Sequence, residues 1–126
     1  MNTPHDLHYT DEHEWIRSIS DNLVRIGITD YAQDQLGDVV FVELPEVGKE
    51  VSKDDLLAEI ESTKSVGEVY APFSGTVAAV NGAVGESPEL INSSPYDEGW
   101  LVEMEIEGGF STEGLLDAEA YTNLTE

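Results

Sequence analysis

The stretch from Leu56 to Val77 constrains the fold more than any other part of the chain, because two similar strand-like segments flank a short polar turn. Apolar residues take every second position along both segments: Leu56, Ala58, Ile60, Val69, Ala71 and Phe73. Such a period-2 pattern is typical of half-buried strands. The turn itself, Ser62-Thr63-Lys64-Ser65, is short and polar. The sequence therefore predicts a β-hairpin over residues 56–77 with Lys64 at its exposed tip.

Lys64 is one of very few basic residues in a strongly acidic chain. The sequence holds 27 acidic and only five basic residues, and Lys64 is one of three lysines. A charged residue at a turn is usually just solvated. Here Pro72 and Gly75 fix the return of the chain after the turn, so the pattern indicates a presented amine that an outside enzyme can acylate.

The segment before this hairpin predicts a second hairpin and a short helix. Residues 14–28 form two strand-like runs joined around Ser20-Asp21-Asn22. Thr29 or Asp30 is suited to cap a helix, and Gly37 is placed to end it. We expect these elements to precede a strand over Val39-Val40-Phe41-Val42, which should be buried on both faces because all four residues are apolar.

The end of the chain predicts a last strand followed by helix. Residues 100–106 alternate cleanly, and four side chains should point inward: Trp100, Val102, Met104 and Ile106. After Gly108-Gly109, apolar residues have the spacing of one or two short helices: Leu115, Leu116, Ala118, Ala120, Tyr121 and Leu124. Ser111 and Asp117 are candidate caps.

A loose repeat of glycine turns on either side of Lys64 suggests two similar four-strand halves. The expected fold is mostly β: a flattened β-sandwich with an N-terminal hairpin and short C-terminal helices, in one domain over residues 1–126. A chain of 126 residues with 40% hydrophobic content suffices for one such core.

The net charge of −22 excludes several classes of partner. It repels nucleic acid and anionic membranes, and it points either to a basic partner surface or to a salt-rich cytoplasm. There is no cysteine, so any dithiol chemistry must come from a cofactor. No apolar run approaches the roughly 20 residues of a membrane span, and the N-terminus lacks a secretory signal. We expect a cytoplasmic monomer.

The sequence gives weaker support for a metal site or a catalytic site. His5, His8 and His13 have no recognised metal-ligand spacing and are expected to be solvated in a loose N-terminal lead. The sequence has no nucleophile elbow and no phosphate-cradling glycine loop. We therefore expect no catalytic residue and no metal site. An unmodified β-sandwich that acts only as an interaction module remains an alternative.

The hairpin motif resembles a known family. Glu61-Ser62-Thr63-Lys64 followed by Tyr70-Ala71-Pro72-Phe73-Ser74-Gly75 is similar to the lipoyl-attachment hairpin of the glycine cleavage H-proteins. Further blocks resemble that family in order and spacing: His13-Glu14-Trp15, residues 27–33, residues 36–45, residues 87–92 and residues 95–100. The resemblance extends over residues 7–124 and implies a barrel-sandwich hybrid of the lipoyl and biotinyl domain type.

The resemblance also implies a function. A lipoyl group on Lys64, added by a lipoate-attaching enzyme, would carry the aminomethyl group of glycine from a pyridoxal-phosphate glycine decarboxylase (P-protein) to an aminomethyltransferase (T-protein). The arm would then meet a dihydrolipoyl dehydrogenase (L-protein). The protein would be a carrier and not an enzyme. By position, Glu14 and Glu68 are the candidates for a cleft that shelters the loaded arm.

Alternatives to a lipoyl carrier of glycine cleavage remain open. Biotinyl domains have methionine on both sides of the modified lysine, whereas Thr63 and Ser65 flank Lys64, so lipoate is favoured over biotin. Ser65, Gly67 and Glu68 stand where the family most often has alanine and then a Ser-Asp pair. A carrier that relays lipoate to other enzymes is a further alternative.

Overall fold

The computed structural model describes residues 2–125. In that part of the chain, the strands are β1 (His8–Tyr9), β2 (Glu14–Ser18), β3 (Leu23–Ile28), β4 (Val39–Glu43), β5 (Glu50–Val51), β6 (Leu56–Ser62), β7 (Val66–Tyr70), β8 (Gly75–Val80) and β9 (Val102–Ile106). The helices are α1 (Asp30–Leu36), α2 (Gly82–Glu86), α3 (Leu90–Ser93) and α4 (Ala118–Thr125). None of these helices is both long and apolar enough to cross a bilayer.

The strands form two antiparallel sheets that enclose the main core. One sheet has six strands in the order β1-β2-β3-β9-β8-β5, and the other has three in the order β4-β6-β7. Buried aliphatic side chains from both sheets form one cluster, with Ile26, Ile60 and Met104 fully buried in it. The predicted mostly β sandwich is confirmed. The predicted split into two four-strand halves on either side of Lys64 is wrong, because within the described residues six strands, β1 to β6, precede Lys64 and three, β7 to β9, follow it.

Local signals in the first half of the chain predicted the elements well. β2 and β3 pair as a hairpin around residues 19–22. The Thr29 hydroxyl accepts a hydrogen bond from the backbone N–H of Ala32 at 3.1 Å and so caps α1. Gly37 ends the helix with φ +83°, a left-handed conformation that suits glycine. The capping prediction for α1 is therefore confirmed.

The expectation that β4 is buried on both faces is wrong. Val39 and Val42 are buried, but Val40 is 55% and Phe41 51% exposed. β4 pairs with β6 through a bulge, since Val39 lies opposite Ser62 and Phe41 opposite Glu61. The extra residue resets the alternation. The three-stranded sheet packs only its inner face on the core, so the bulge leaves two apolar side chains in solvent.

A second bulge changes which leucine of β6 is buried. The register shifts between Leu56 and Ala58 against β7. Leu57 is buried and Leu56 is 40% exposed, the reverse of the expected alternation. Ala58 and Ile60 do point into the core as predicted.

The last strand begins later than its alternation suggested. β9 starts at Val102, while Leu101 is fully buried and Trp100 only half-buried. The Leu101 N–H donates to the carbonyl of Ile26 at 2.9 Å before regular pairing begins. Trp100 instead lies under the Arg25 guanidinium, 4.6 Å from the ring centroid, an arrangement that favours a cation–π contact.

A single helix, α4, closes the described part of the chain. Asp117 caps it by accepting the Ala120 N–H at 2.8 Å, which confirms one predicted cap. Leu116 lies before the helix and pairs with Tyr9, and Leu124 is exposed. The one or two helices expected after Gly108-Gly109 are therefore a single short helix. α4 belongs to a second, smaller cluster, whose fully or nearly fully buried members are Leu7, Tyr9, Trp15, Ala118 and Tyr121.

Candidate functional site

The turn that carries Lys64 is fixed by its own backbone and one serine. The Ser62 N–H donates to the Ser65 carbonyl at 2.8 Å, and the Ser62 hydroxyl accepts the Ser65 N–H at 3.0 Å. The Thr63 N–H donates to the Asp38 carbonyl at 3.1 Å, which ties the turn to the start of β4. Lys64 is exposed at the tip. The exposed lysine at a hairpin tip is as the sequence predicted. The predicted bounds of 56–77 are wrong, because β7 ends at Tyr70 and residues 75–77 belong to β8 in the other sheet.

The methylene chain of Lys64 lies against the C-terminal end of α1. A Cβ added at Gly37 would be 3.2 Å from Lys64 Cε and 3.8 Å from its Nζ. Glycine at position 37 therefore permits both the left-handed conformation that ends α1 and the close approach of the Lys64 side chain. Among the ion pairs of residues 2–125, which involve Arg17 and Arg25, none includes Lys64, so its amine is not committed to a carboxylate.

A cleft of about 330 Å³ lies between α1 and the β7 edge, one residue from Gly37. Its apolar lining includes Ile28, Leu36, Ile60 and Val69. Three acids also line it: Glu12, Glu14 and Glu68. A Cβ at Gly67 would be 3.1 Å from Leu36 Cδ2, so the glycine allows α1 to lie close to β7. The two candidate glutamates thus line one cleft although 54 positions separate 14 from 68 in the sequence.

Glu14 is a buried acid at the base of this cleft. It is 3% exposed, and its carboxyl accepts the Tyr70 N–H at 2.7 Å and the Thr10 hydroxyl at 3.2 Å. Burial raises its pKa to about 8, against the opposing effect of these two hydrogen bonds. Glu14 also lines a second cavity of about 900 Å³, whose lining includes Tyr70 and Phe73. It is therefore not an ordinary surface acid.

Glu68 differs from Glu14 because it is exposed on the outer face of β7. It lies opposite Glu59 of β6, which lies opposite Glu43 of β4. Three carboxylates in one cross-strand row repel one another, an arrangement that does not favour sheet stability. The Glu68 carboxylate also raises the pKa of the Tyr70 hydroxyl. This side of the cleft is strongly negative.

His13 forms part of the cleft wall, and the expectation that it is solvated in a loose lead is wrong. It is half-buried in a left-handed conformation with φ +70°. Its Nδ1 is 2.8 Å from the Tyr121 hydroxyl, and its ring centroid is 4.8 Å from that of Tyr31. Burial lowers its pKa. The only sequence signal for a role of His13 was its position next to Glu14 in the His-Glu-Trp block. Its contacts could not be predicted, because its partners lie on α1 and α4, far along the chain.

Known proteins resemble this chain in both sequence and structure. The family model for the glycine cleavage H-protein matches residues 7–126. A glycine cleavage system H protein of Mycolicibacterium smegmatis is 58% identical over 121 residues, covering 94% of this chain and 92% of that protein. One from Geobacillus kaustophilus is 54% identical over 121 residues, covering 96% and 94%. The crystal structure of a glycine cleavage system H protein from Mycobacterium marinum has a TM-score of 0.85 at 42% identity, covering 95% of this chain and 96% of that chain.

Proposed function

The chain belongs to the glycine cleavage H-protein family, and we propose that it is the lipoyl carrier of that system, with the lipoyl group in amide linkage to Nζ of Lys64. The observation that carries this proposal is the setting of Lys64. Its amine is exposed at a hydrogen-bonded hairpin tip, and its methylene chain lies beside Gly37 next to an apolar cleft. The chain itself contributes presentation and no catalytic group.

The residues of the cleft fit such a group. A lipoyl chain is apolar, and Ile28, Leu36, Ile60 and Val69 supply an apolar lining in a cleft of about 330 Å³, near the lower end of small-molecule sites. When bound, the lipoyl group supplies a ring disulfide that takes up the aminomethyl group of glycine. The proposed partners are the P-, T- and L-proteins of the system and a lipoate-attaching enzyme.

Glu14 and Glu68 are proposed to hold the ammonium of the cargo in the cleft. Because the pKa of Glu14 is raised to about 8, its carboxyl keeps its proton near pH 7 until a cation approaches. An ammonium favours the carboxylate and forms a charge-assisted hydrogen bond with it. An arm without cargo gains nothing from these acids, so docking depends on loading. Formaldehyde release from the loaded carrier without its folate-dependent partner measures this shelter, and Glu14→Gln and Glu68→Gln should raise the rate.

Attachment at Lys64 is tested by peptide mapping of the protein from its native source. We expect a lipoyl adduct on Lys64 alone, and we expect Lys64→Arg to abolish glycine cleavage in the reconstituted system. Lys49→Arg and Lys53→Arg are matched controls, because both lysines lie in exposed positions outside the β6–β7 turn. An adduct on either control lysine, or activity of Lys64→Arg, would contradict the proposal.

The intact mass of the protein from its native source, together with activity assays, separates the alternatives. A biotin adduct would favour a biotinyl carrier, and an unmodified chain would favour a pure interaction module. A lipoylated protein that restores other lipoate-dependent enzymes, but not glycine cleavage, would favour a relay carrier. The cytoplasmic location and the monomeric state stay predictions.

A further inference from the structure

One hydroxyl connects the C-terminal helix to two walls of the cleft, the His13-Glu14 segment and α1. We propose that Tyr121 is a positioning residue, whose hydroxyl holds His13 and the start of α1 in place and so sets how well the cleft shelters its cargo. The inference rests on the proposed function, because it concerns the same cleft. The proposal gives α4 a role in the cleft, although no residue of α4 lines it.

The first wall is held through His13. The Tyr121 hydroxyl lies 2.8 Å from His13 Nδ1, and His13 precedes Glu14 directly in the chain. The left-handed φ of His13 turns the chain into β2 at this point. A non-glycine residue in this conformation is strained and needs support from its surroundings. The bond from Tyr121 supplies such support one residue from the buried carboxyl.

The second wall is held through Thr29. The same Tyr121 hydroxyl lies 2.7 Å from Thr29 Oγ1, and Thr29 is the N-cap of α1. Tyr31 and Ala32, in the first turn of this helix, line the cleft. The Thr29 N–H also donates to the His13 carbonyl at 3.1 Å. These two walls therefore meet at a single hydroxyl, on a residue that is 1% exposed.

One direction of the hydrogen bonds around this hydroxyl gives both hydroxyl hydrogens an acceptor. In this direction the Ala32 N–H donates to Thr29 Oγ1, the Thr29 hydroxyl donates to Tyr121, and the Tyr121 hydroxyl donates to His13 Nδ1. This direction requires a neutral His13 with its proton on Nε2. Burial, which lowers the pKa of His13 against the pull of Asp11 and Glu12, favours the neutral ring. The opposite direction would leave the Thr29 hydroxyl hydrogen without an acceptor among the described residues.

Tyr9 provides a matched control for Tyr121. The two rings stack at 4.7 Å with an interplanar angle of 14° in the same buried cluster. The Tyr9 hydroxyl donates to the Pro4 carbonyl at 2.6 Å and contacts neither His13 nor Thr29. Tyr9→Phe and Tyr121→Phe each remove one buried hydroxyl and keep the ring. A general loss of cluster stability would therefore appear in both variants.

The experiment measures formaldehyde release from the aminomethyl-loaded holoprotein in the wild type, Tyr121→Phe, Tyr9→Phe, Thr29→Ser and Glu14→Gln. We expect Tyr121→Phe to raise the rate at least about 2-fold, the lower end of the effect of one hydrogen bond, because the variant loses the bonds to both His13 and Thr29. Tyr9→Phe and Thr29→Ser, which keeps the hydroxyl, should match the wild type. In the unmodified proteins, ¹⁵N NMR should find the His13 proton on Nε2 in the wild type and Tyr9→Phe, and a mixture of ring forms in Tyr121→Phe.

The outcomes separate the two proposals. Faster release in Glu14→Gln with no change in Tyr121→Phe would overturn the positioning role and leave the cleft intact as a shelter. Equal acceleration in Tyr9→Phe and Tyr121→Phe would overturn it too, because the effect would belong to the cluster. Release from the wild type as fast as from a lipoyl-lysine peptide, unchanged in every variant, would overturn both proposals. An unchanged His13 tautomer in Tyr121→Phe would also contradict the positioning role.

Discussion

At the scale of single residues, Glu14 shows how burial changes the chemistry of a common side chain. It is one of 27 acids, yet it is the only buried acid among residues 2–125. Its raised pKa means that the native protein keeps a proton that the unfolded chain loses. The free energy of unfolding must therefore depend on the titration of this one residue.

The sign and range of that dependence give a prediction for Glu14→Gln. Between pH 4.5 and about 8 the native state binds more protons at this site than the unfolded state, so the contribution of Glu14 to stability is fully present below pH 4.5 and is lost as the pH rises to about 8. Glutamine cannot titrate. We expect the stability of Glu14→Gln relative to the wild type to rise across this window by the order of a few kcal/mol.

Urea unfolding of both proteins at several pH values measures the difference. Glu68→Gln is the matched control, because Glu68 lines the same cleft but is exposed. Its stability relative to the wild type should change far less with pH. A difference between Glu14→Gln and wild type that stays constant from pH 5 to 8 would mean that the carboxyl titrates normally.

At the scale of elements, β4 shows how one bulge alters the burial of a strand. Because Val40 is the extra residue, Phe41 points to solvent and Val42 to the core. The same replacement at the two adjacent positions should therefore have unequal effects. We expect Phe41→Thr to change the free energy of unfolding by no more than about 0.5 kcal/mol. Val42→Thr buries a hydroxyl among aliphatic side chains and should cost about 1 to 3 kcal/mol.

Chemical denaturation of the two variants at one pH tests this ordering. Threonine suits a strand at either position, so the comparison isolates burial from strand propensity. A larger loss for Phe41→Thr than for Val42→Thr would mean that the regular alternation holds and that the bulge is absent in solution.

At the scale of the whole molecule, the charge is the dominant property. The net charge is −22, and within residues 2–125 the ion pairs are Arg17–Asp6 and Arg25–Glu103. Most carboxylates therefore repel one another without a paired cation. We expect the melting temperature to rise with salt as the Debye length falls from about 30 Å at 0.01 M to about 3 Å at 1 M.

Differential scanning calorimetry across that range of sodium chloride measures the effect. The double variant Glu43→Gln, Glu59→Gln removes two charges from the three-carboxylate row, and its melting temperature should rise less with salt. A wild-type melting temperature that does not change with salt would show that the repulsion is already relieved at low ionic strength.

The sequence by itself determined the features that depend on neighbours in the chain. Period-2 alternation predicted the strands of the hairpin around Lys64, the polar turn predicted its exposed tip, and Thr29 and Gly37 predicted the ends of α1. These signals are local because turns, caps and strand faces are set by the conformations of a few successive residues. The family resemblance then supplied Glu14 and Glu68.

Only the tertiary structure decided what depends on the packing of distant elements. The bulges of β4 and β6 follow from register against a partner strand, which no local pattern encodes. Glu14 is buried because the end of β7 packs on it, with the Tyr70 N–H bonded to its carboxyl. His13 is held by a hydrogen bond with Tyr121, which is 108 residues away in the chain. The raised pKa of Glu14 and the hydrogen bonds of the Tyr121 hydroxyl to His13 and Thr29 arise only after the fold has excluded water from these groups. The exposed position of Lys64 at a hairpin tip could therefore be predicted from local sequence, whereas the contacts that shape the cleft beside it could not.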